Sequence, residues 1–457
     1  MTTTTTPAVA QSIPHPPRRI PILGDVLGID SRRPNQKTLW QFTQLGPLYR
    51  RTFIGGVHLT FAGSSALMRE VIDEKTWQRH FARPYEKLRA VGGNGLFTAP
   101  NDSDEWKRGH DILIQGFVPA AMADYHDTML NVVDLTSQWL GQTRTVTDTA
   151  AMMGDTALEV IGQAGFGHSV GAFTEHDAAH RAPFADALTR VFSYAQESAI
   201  PVVGKLIGGK RARQHTKDIE LMKSTVLDVI ESRRRTGQRY PDLLDRMMHP
   251  QSGTPLPDDN LVDQVLTLFI AGHETTGNLL AFTAHFLARN PELAARVRAE
   301  AGAVTTDGRI AYEDVATLKV TEAVISETLR LWPTAPGFFR AAREDTTLGG
   351  YPIAAGEWVF VLLLAVHRDP AVWGRDAEEF RPDRWLQEGF RAAPWMYRPF
   401  GTGPRSCIGQ AFALHEAKLI IASLVRDYEL ASTAELDVEE NLTLRPSNLE
   451  VTFHRIP

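Results

Sequence analysis

The sequence predicts a mainly helical fold with a smaller β region, an α+β protein, on three observations. From about Leu67 to Asn290 apolar residues recur at helical spacing with few breaks. Around Leu48 to Phe61 and Leu348 to Val366 the period shortens to that of strands. One segment, from Pro257-Asp258-Asp259 to Asn290, is apolar around most of its circumference and reads as a buried central helix.

Taken in order, residues 1–15 are expected to be a disordered tail, and residues 16–457 a single domain without repeats or linkers. The run Ile13-Pro14-His15-Pro16-Pro17-Arg18-Arg19-Ile20-Pro21 is stiff and extended, because each proline fixes φ and lacks an N–H. Gly55-Gly56 marks the turn of a hairpin between Leu48 and Phe61. Gly92-Gly93-Asn94-Gly95 and Pro250 to Pro257 interrupt the helices, and Arg233-Arg234-Arg235 is expected at a solvated helix end. The central helix starts on acidic residues that suit its positive dipole end and stops before Pro291. At 1.5 Å per residue its roughly 30 residues span about 45 Å, enough to cross a domain. Ala355-Gly356 turns into a strand from Trp358 to Leu364, and Ile408 to Tyr428 is a last long helix.

Composition narrows the function. The chain has 457 residues, a net charge of −6 and one cysteine, Cys407. One thiol forms neither an intramolecular disulfide nor a cysteine cluster for a metal. Mild acidity argues against nucleic acid as a partner. No apolar run reaches the ~18 residues of a membrane helix, and Met1 to Ala10 lacks the charge and apolar core of a leader. A soluble, cytoplasmic protein without a membrane anchor is expected.

Two stretches break local rules. Gly272-His273-Glu274-Thr275-Thr276 lies mid-helix, where a glycine, an acid and two hydroxyls are poor helix formers and costly in a core. Either Thr275 bonds back to the preceding turn at a kink, or a cavity lined by proton donors faces the helix. Cys407 lies in Phe400-Gly401-Thr402-Gly403-Pro404-Arg405-Ser406-Cys407-Ile408-Gly409. Glycines at 401, 403 and 409 permit close backbone approach. The helix that follows and Arg405 favour a thiolate at Cys407.

This decapeptide resembles the haem-ligand signature of the cytochrome P-450 family. Glu327-Thr328-Leu329-Arg330 resembles the family's Glu-x-x-Arg element, and Phe380-Arg381-Pro382-Asp383-Arg384-Trp385 its meander. Ala271 to Thr276 is similar to its oxygen-activating stretch, and Trp106-Lys107-Arg108-Gly109-His110 to its propionate-binding helix. The resemblance runs from about Pro16 to the end. It implies a haem b held between the central helix and the cysteine-loop helix, with Cys407 as the axial iron ligand.

The resemblance implies further roles. Trp106, His110, Arg340 and Arg405 would hold haem, with Ala271, Gly272, Phe400, Gly401, Ile408 and Gly409 around it. Glu327, Arg330 and Arg384 would form a structural triad. Glu274 and Thr275 would deliver protons to bound O₂, and Phe97, Ala271, Ala335 and Gly337 would line the substrate pocket. A thiolate ligand favours O–O cleavage over O₂ storage, so a monooxygenase is implied. Gly95-Leu96-Phe97-Thr98, Leu331 to Pro336 and Leu414-His415-Glu416-Ala417 resemble bacterial fatty-acid hydroxylases fused to a diflavin reductase. Those enzymes hold the substrate carboxylate with an Arg and a Tyr, which Gly56-Val57-His58-Leu59-Thr60 lacks. The expected substrate is a fatty acid or similar long-chain compound, with a bulky secondary metabolite or a peroxide-using haem-thiolate enzyme as alternatives. The electron donor would be a ferredoxin or flavodoxin with its reductase, or a fused diflavin reductase.

Two other motifs fail on context. Gly167-His168-Ser169-Val170-Gly171 fits a serine-hydrolase nucleophile elbow, but follows a helical pattern instead of a strand. His273-Glu274 begins a zinc-protease motif, yet Gly277 stands where its second histidine belongs.

Overall fold

In a computed structural model of the protein, residues 12–82, 86, 88–173, 183–199, 209–251 and 253–457 are described. The first eleven residues of the expected tail lie outside them. Order begins inside that tail: Ile13 is buried in a hydrophobic core, and the Arg50 N–H donates to the Pro14 carbonyl at 2.8 Å. The chain forms two compact units. Of the described residues, one unit takes those from 12–80, 336–379 and 391–406, and the other those within 81–335, 380–390 and 407–457.

The first unit is built on a five-stranded sheet. Its strands are β1 (Leu48–Thr52), β2 (His58–Ala62), β3 (Trp77–Arg79), β4 (Gly337–Ala342) and β5 (Trp358–Leu362), in the order β1-β2-β5-β4-β3. β1 and β2 form the expected hairpin, with Tyr49 opposite Phe61 and their rings stacked at 4.9 Å. Gly55 and Gly56 take φ of 75° and 74° in its turn, where a side chain would be strained. β5 ends at Leu362, two residues early, because Leu363–Val366 coils into a helical turn. Met68, Trp77, Val359, Val361 and Leu363 pack one face of this sheet.

The second unit carries the long helices. They include α1 (Asp104–Phe117), α2 (Met122–Gln142), α3 (Thr149–Val160), α4 (Gly209–Thr236), α5 (Asp258–Ala288), α6 (Pro291–Val304), α7 (Lys319–Leu331) and α8 (Gln410–Asp427). α5 has 31 residues, matches the sequence expectation within two residues at either end, and packs against α3, α7 and α8. Its crossing with α3 is very close. A Cβ at Gly277 would lie 2.5 Å from the Gly154 Cα, so packing accounts for the glycine that broke the zinc motif. A hairpin of β6 (Asp437–Glu440) and β7 (Leu444–Ser447) also lies against α5.

The arginine tract departs from expectation. Arg233 is buried, donating to both Asp242 carboxylate oxygens (3.1 and 2.7 Å) and to the Phe166 carbonyl (3.0 Å). Successive helical residues point about 100° apart, so three arginines in a row cannot all face water. Arg234 and Arg235 are exposed as expected, Arg234 pairing with Asp258.

Candidate functional site

Within the second unit, α5 is buried along most of its length yet accessible at one place. Ala271 is exposed, and Gly272, Glu274 and Thr275 are partly so, between buried stretches on either side. Thr275 Oγ1 donates to the Ala271 carbonyl at 2.7 Å, so the bond back to the preceding turn exists and α5 nevertheless runs on unbroken. Glu274 sits deep among protein atoms, and burial pushes its carboxyl up; the Thr443 hydroxyl, as hydrogen-bond donor, and the charge of Arg445 work the other way. Asn278 Nδ2 donates to the same hydroxyl at 3.2 Å, which fixes Thr443 between two α5 side chains. Sequence reasoning missed Thr443 because it belongs to the β6–β7 turn, 169 positions beyond Glu274.

The other half of α5 holds the segment that bears Phe97. Asp263 Oδ2 accepts from the Asn94 N–H (2.9 Å), Gln264 Oε1 from the Leu96 N–H (3.0 Å), and Asn260 donates to the Asn94 carbonyl (3.2 Å). A Cβ at Gly95 would come within 2.0 Å of Thr267 Oγ1, so the glycine lets this loop lie directly on the helix. The signal was present in the sequence: Asn260, Asp263, Gln264 and Thr267 form a polar stripe at i, i+3, i+4, i+7 on an otherwise apolar helix. Phe97 emerges from this clamp exposed, edge-on to Phe81 with ring centres 5.9 Å apart.

Cys407 precedes α8, whose amino end is capped by Gly409. Its side chain is accessible. Even so, the surrounding protein pushes the thiol up, against the opposing Gly409 N–H bond to sulfur. This corrects the expectation that the helix terminus alone favours a thiolate: desolvation outweighs it. A coordinated metal cation reverses that balance, because it deprotonates a thiol ligand outright. On α1, Trp106 and His110 occupy one face with rings 5.0 Å apart.

The triad is the most completely built cluster. Glu327 on α7 accepts from Arg330 Nε (2.8 Å) and Nη2 (2.9 Å), and from Arg384 Nε (3.0 Å). Trp385 Nε1 (2.8 Å) and the Arg381 N–H (2.9 Å) complete its shell, two partners the spacing of charges did not reveal. Glu327 and Arg330 are fully buried and Arg384 nearly so.

Phe400, Gly401, Arg405, Gly337 and Arg340 belong to the first unit. Gly401 and Gly403 take φ of 75° and 71°, and a Cβ at Gly403 would meet the Glu74 carboxylate at 1.9 Å. That carboxylate also pairs with Arg340 (2.9 Å), whose guanidinium donates to the carbonyls of Val71 (3.1 Å) and Trp77 (2.9 Å). Arg340 is therefore neutralised inside its own unit, where the sequence expectation offered it to an anionic ligand. His367, buried and not singled out by sequence, accepts the Arg398 N–H through Nε2 at 3.0 Å and so anchors the chain just before the cysteine loop. Gly337 is a packing position, since a Cβ there would lie 2.3 Å from the Val361 carbonyl oxygen across the β4–β5 pair. Ala335, in the second unit, is exposed. Ser169 follows α3 and a wide π turn (Ile161–Gly165), with no strand before it, which removes the nucleophile-elbow geometry.

These features coincide with a family. The sequence matches cytochrome P450 over residues 14–453, and the chain belongs to that family. It is 36% identical over 456 residues to a bifunctional cytochrome P450/NADPH–P450 reductase of Bacillus cereus, a match covering 96% of this chain and 42% of that protein. A second such enzyme, from Bacillus subtilis, is 37% identical over 429 residues, 91% of this chain and 40% of the relative. A self-sufficient cytochrome P450 monooxygenase of Penicillium expansum is 34% identical over 452 residues, 96% of this chain and 43% of the relative. The chain thus spans about two-fifths of the length of the curated relatives it matches.

The residues present fit the prosthetic group the family implies. The only cysteine is accessible beside a helix terminus, and the accessible stretch of α5 pairs a hydroxyl with a carboxyl that burial favours keeping neutral. α8, which follows that cysteine, packs against α5.

Proposed function

We propose that the chain is the haem-thiolate part of a monooxygenase that activates O₂ and hydroxylates a hydrophobic long-chain substrate, a fatty acid or close analogue. Residues 16–457 would act as one haem-binding domain with haem b. The observation that carries this reading is the accessible Ala271–Thr275 stretch in a buried helix packed on the helix that follows Cys407.

When bound, haem supplies the one-electron and O₂ chemistry. The chain's own residues hold and protonate. Cys407 would ligate iron through its thiolate, with the Gly409 N–H directed at the sulfur. Trp106, His110 and Arg405 would bind the haem carboxylates by N–H donation. Arg340, already paired with Glu74, adds little there. Ala271, Gly272, Phe400, Gly401, Ile408 and Gly409 would form the walls. Thr275 spends its hydroxyl proton on the Ala271 carbonyl, which leaves its oxygen able to accept a bond from water in the pocket. Glu274, pushed toward its protonated form, stores a proton at its carboxyl and passes it on. Phe97, Ala335 and Gly337 would border the substrate. The names of the relatives include a P450 reductase, which supports a diflavin donor, fused or separate, over a ferredoxin.

A second reading has its own observation. Arg50 is tied to Glu357 and to Thr60 Oγ1 (3.0 Å), and Arg51 is buried against Gln41. Both guanidiniums are engaged within the protein and not by a substrate carboxylate, which favours a neutral or bulky substrate. Titrating the ferric haem protein with fatty acids of graded length and with polycyclic compounds separates the two. A Soret shift with fatty acids, and hydroxylated product on turnover, supports the first reading. A shift with polycyclic compounds alone supports the second. Cys407→Ser should remove the red-shifted Soret band of the reduced CO adduct; its survival refutes the haem-thiolate assignment.

A further inference from the structure

We infer that Arg89 is a positioning residue for Phe97 and, through that ring, sets which carbon of the substrate is presented for hydroxylation. The inference rests on the proposed place of Phe97 at the border of the substrate.

The first observation is how the segment bearing Phe97 is fixed. On its upstream side the Asn94 and Leu96 N–H groups are bound by Asp263 and Gln264 of α5. On its downstream side the Thr98 carbonyl accepts from Arg89 Nε at 3.2 Å and from Nη2 at 2.6 Å. Thr98 is buried, and its hydroxyl donates to the Gly93 carbonyl at 2.7 Å. The Thr98 and Ala99 N–H groups both return to the Gly95 carbonyl, at 3.1 and 2.9 Å. Arg89 opens a short helical turn (Arg89–Gly92), so its side chain closes a loop of ten residues on the residue that follows Phe97. Two donors of one rigid guanidinium converge on a single carbonyl oxygen, which fixes the direction of that carbonyl as well as its distance.

The second observation is a chain of ring contacts. The Arg89 guanidinium carbon lies 5.4 Å from the centre of the Phe81 ring, and Phe81 meets Phe97 edge-on with centres 5.9 Å apart. A cation held near one ring restrains its tilt, and the edge-on pair passes that restraint to the next. One side chain thus reaches Phe97 by two routes, through the backbone and through Phe81.

Place gives the arrangement its consequence. Gly95 rests on Thr267, and Ala271 lies one helical turn further along the same face of α5, so Phe97 is borne beside the accessible stretch. Phe97 is exposed, and an exposed ring takes its direction from the chain that bears it. Without the Arg89 fork the Thr98 carbonyl loses its charged donors, residues 94–98 loosen, and the ring samples more directions. More than one substrate carbon then reaches the reacting position, since small displacements decide which geometry is productive.

The test compares the haem-loaded wild type with Arg89→Met, Phe97→Ala and Arg89→Met/Phe97→Ala, well below their melting midpoints. Hydrogen–deuterium exchange of residues 94–99 should quicken about tenfold or more in Arg89→Met, as expected for loss of a charge-assisted bond, while α5 keeps its protection. Turnover uses whichever compounds shift the Soret band, with a surrogate reductase. Arg89→Met should change the distribution of hydroxylated positions, and adding it to Phe97→Ala should change that distribution no further, because Arg89 acts through the ring. If Arg89→Met does not fold, Arg89→Lys, which keeps the charge and loses the fork, carries the same comparison. Unaltered exchange at 94–99 overturns the inference, as does a product distribution that Arg89→Met shifts equally with and without Phe97. A lowered melting midpoint with unchanged products assigns Arg89 to stability alone and equally overturns it. Absence of the red-shifted CO band from the wild type would remove the haem-thiolate reading and this inference with it; with that band present, the outcomes above bear on Arg89 only.

Discussion

Replacing Glu327 by glutamine tests the triad directly. The substitution keeps the shape of the side chain but removes the charge that neutralises Arg330 and Arg384. Glu327 and Arg330 have no exposed side-chain surface and Arg384 only 5%, so water cannot compensate. Removing one partner of a buried pair costs about 3–5 kcal/mol, since the remaining charge stays desolvated. Unfolding entropy is about 2.1 cal/mol/K per residue, so a unit of roughly 300 residues should lose about 5–8 °C in its melting midpoint. The assay is calorimetry of the haem-loaded protein with urea unfolding at fixed pH. Trp385→Phe is the internal control: it removes the Nε1 bond to Glu327, at about 1.5–3 kcal/mol, and trims the ring that meets Phe390 while leaving the Glu327 charge in place, and it should rank below Glu327→Gln. A Glu327→Gln loss under about 1 kcal/mol, or the reverse ranking, would refute the view that charge neutralisation holds this cluster together.

Three further predictions follow from single sites. Gly277→Ala places a methyl 2.5 Å from the Gly154 Cα and should cost about 1–3 kcal/mol or more by pushing α3 from α5; an unchanged urea midpoint would contradict that crossing. Thr275→Ala should divert reducing equivalents to hydrogen peroxide, measured as product formed per NADPH consumed with the native or a surrogate reductase, and equal coupling in variant and wild type would remove Thr275 from proton delivery. Burial first, then His126 at 3.0 Å and Lys418, push His415 from 6.5 down to about 3. The folded chain then refuses a proton that the unfolded chain accepts, so stability falls as pH drops from about 6.5 toward 3, by about 2 kcal/mol between pH 7 and pH 5. His415→Gln should flatten that acid-side slope in urea titrations, and an unaltered slope would rule His415 out as its source.

What the sequence determined by itself is whatever depends on neighbours along the chain. The length of α5 follows from periodicity, an acidic start and Pro291; the β1–β2 hairpin follows from alternation and a Gly-Gly turn; Glu327 and Arg330 pair because i,i+3 residues share a helix face. The cysteine loop was legible for the same reason, since its chemistry is written in ten consecutive residues. Tertiary structure decided whatever turns on desolvation or on a partner distant in sequence. Arg340 is spent on Glu74 and Arg233 on Asp242; Thr443 reaches Glu274 from a hairpin far along the chain; Gly277 exists for Gly154. The Cys407 thiol is the sharpest case. Local sequence supplies a helix terminus and an adjacent arginine, both favouring the thiolate, but the cost of removing a charge from water depends on every atom the fold packs around it, and that cost prevails.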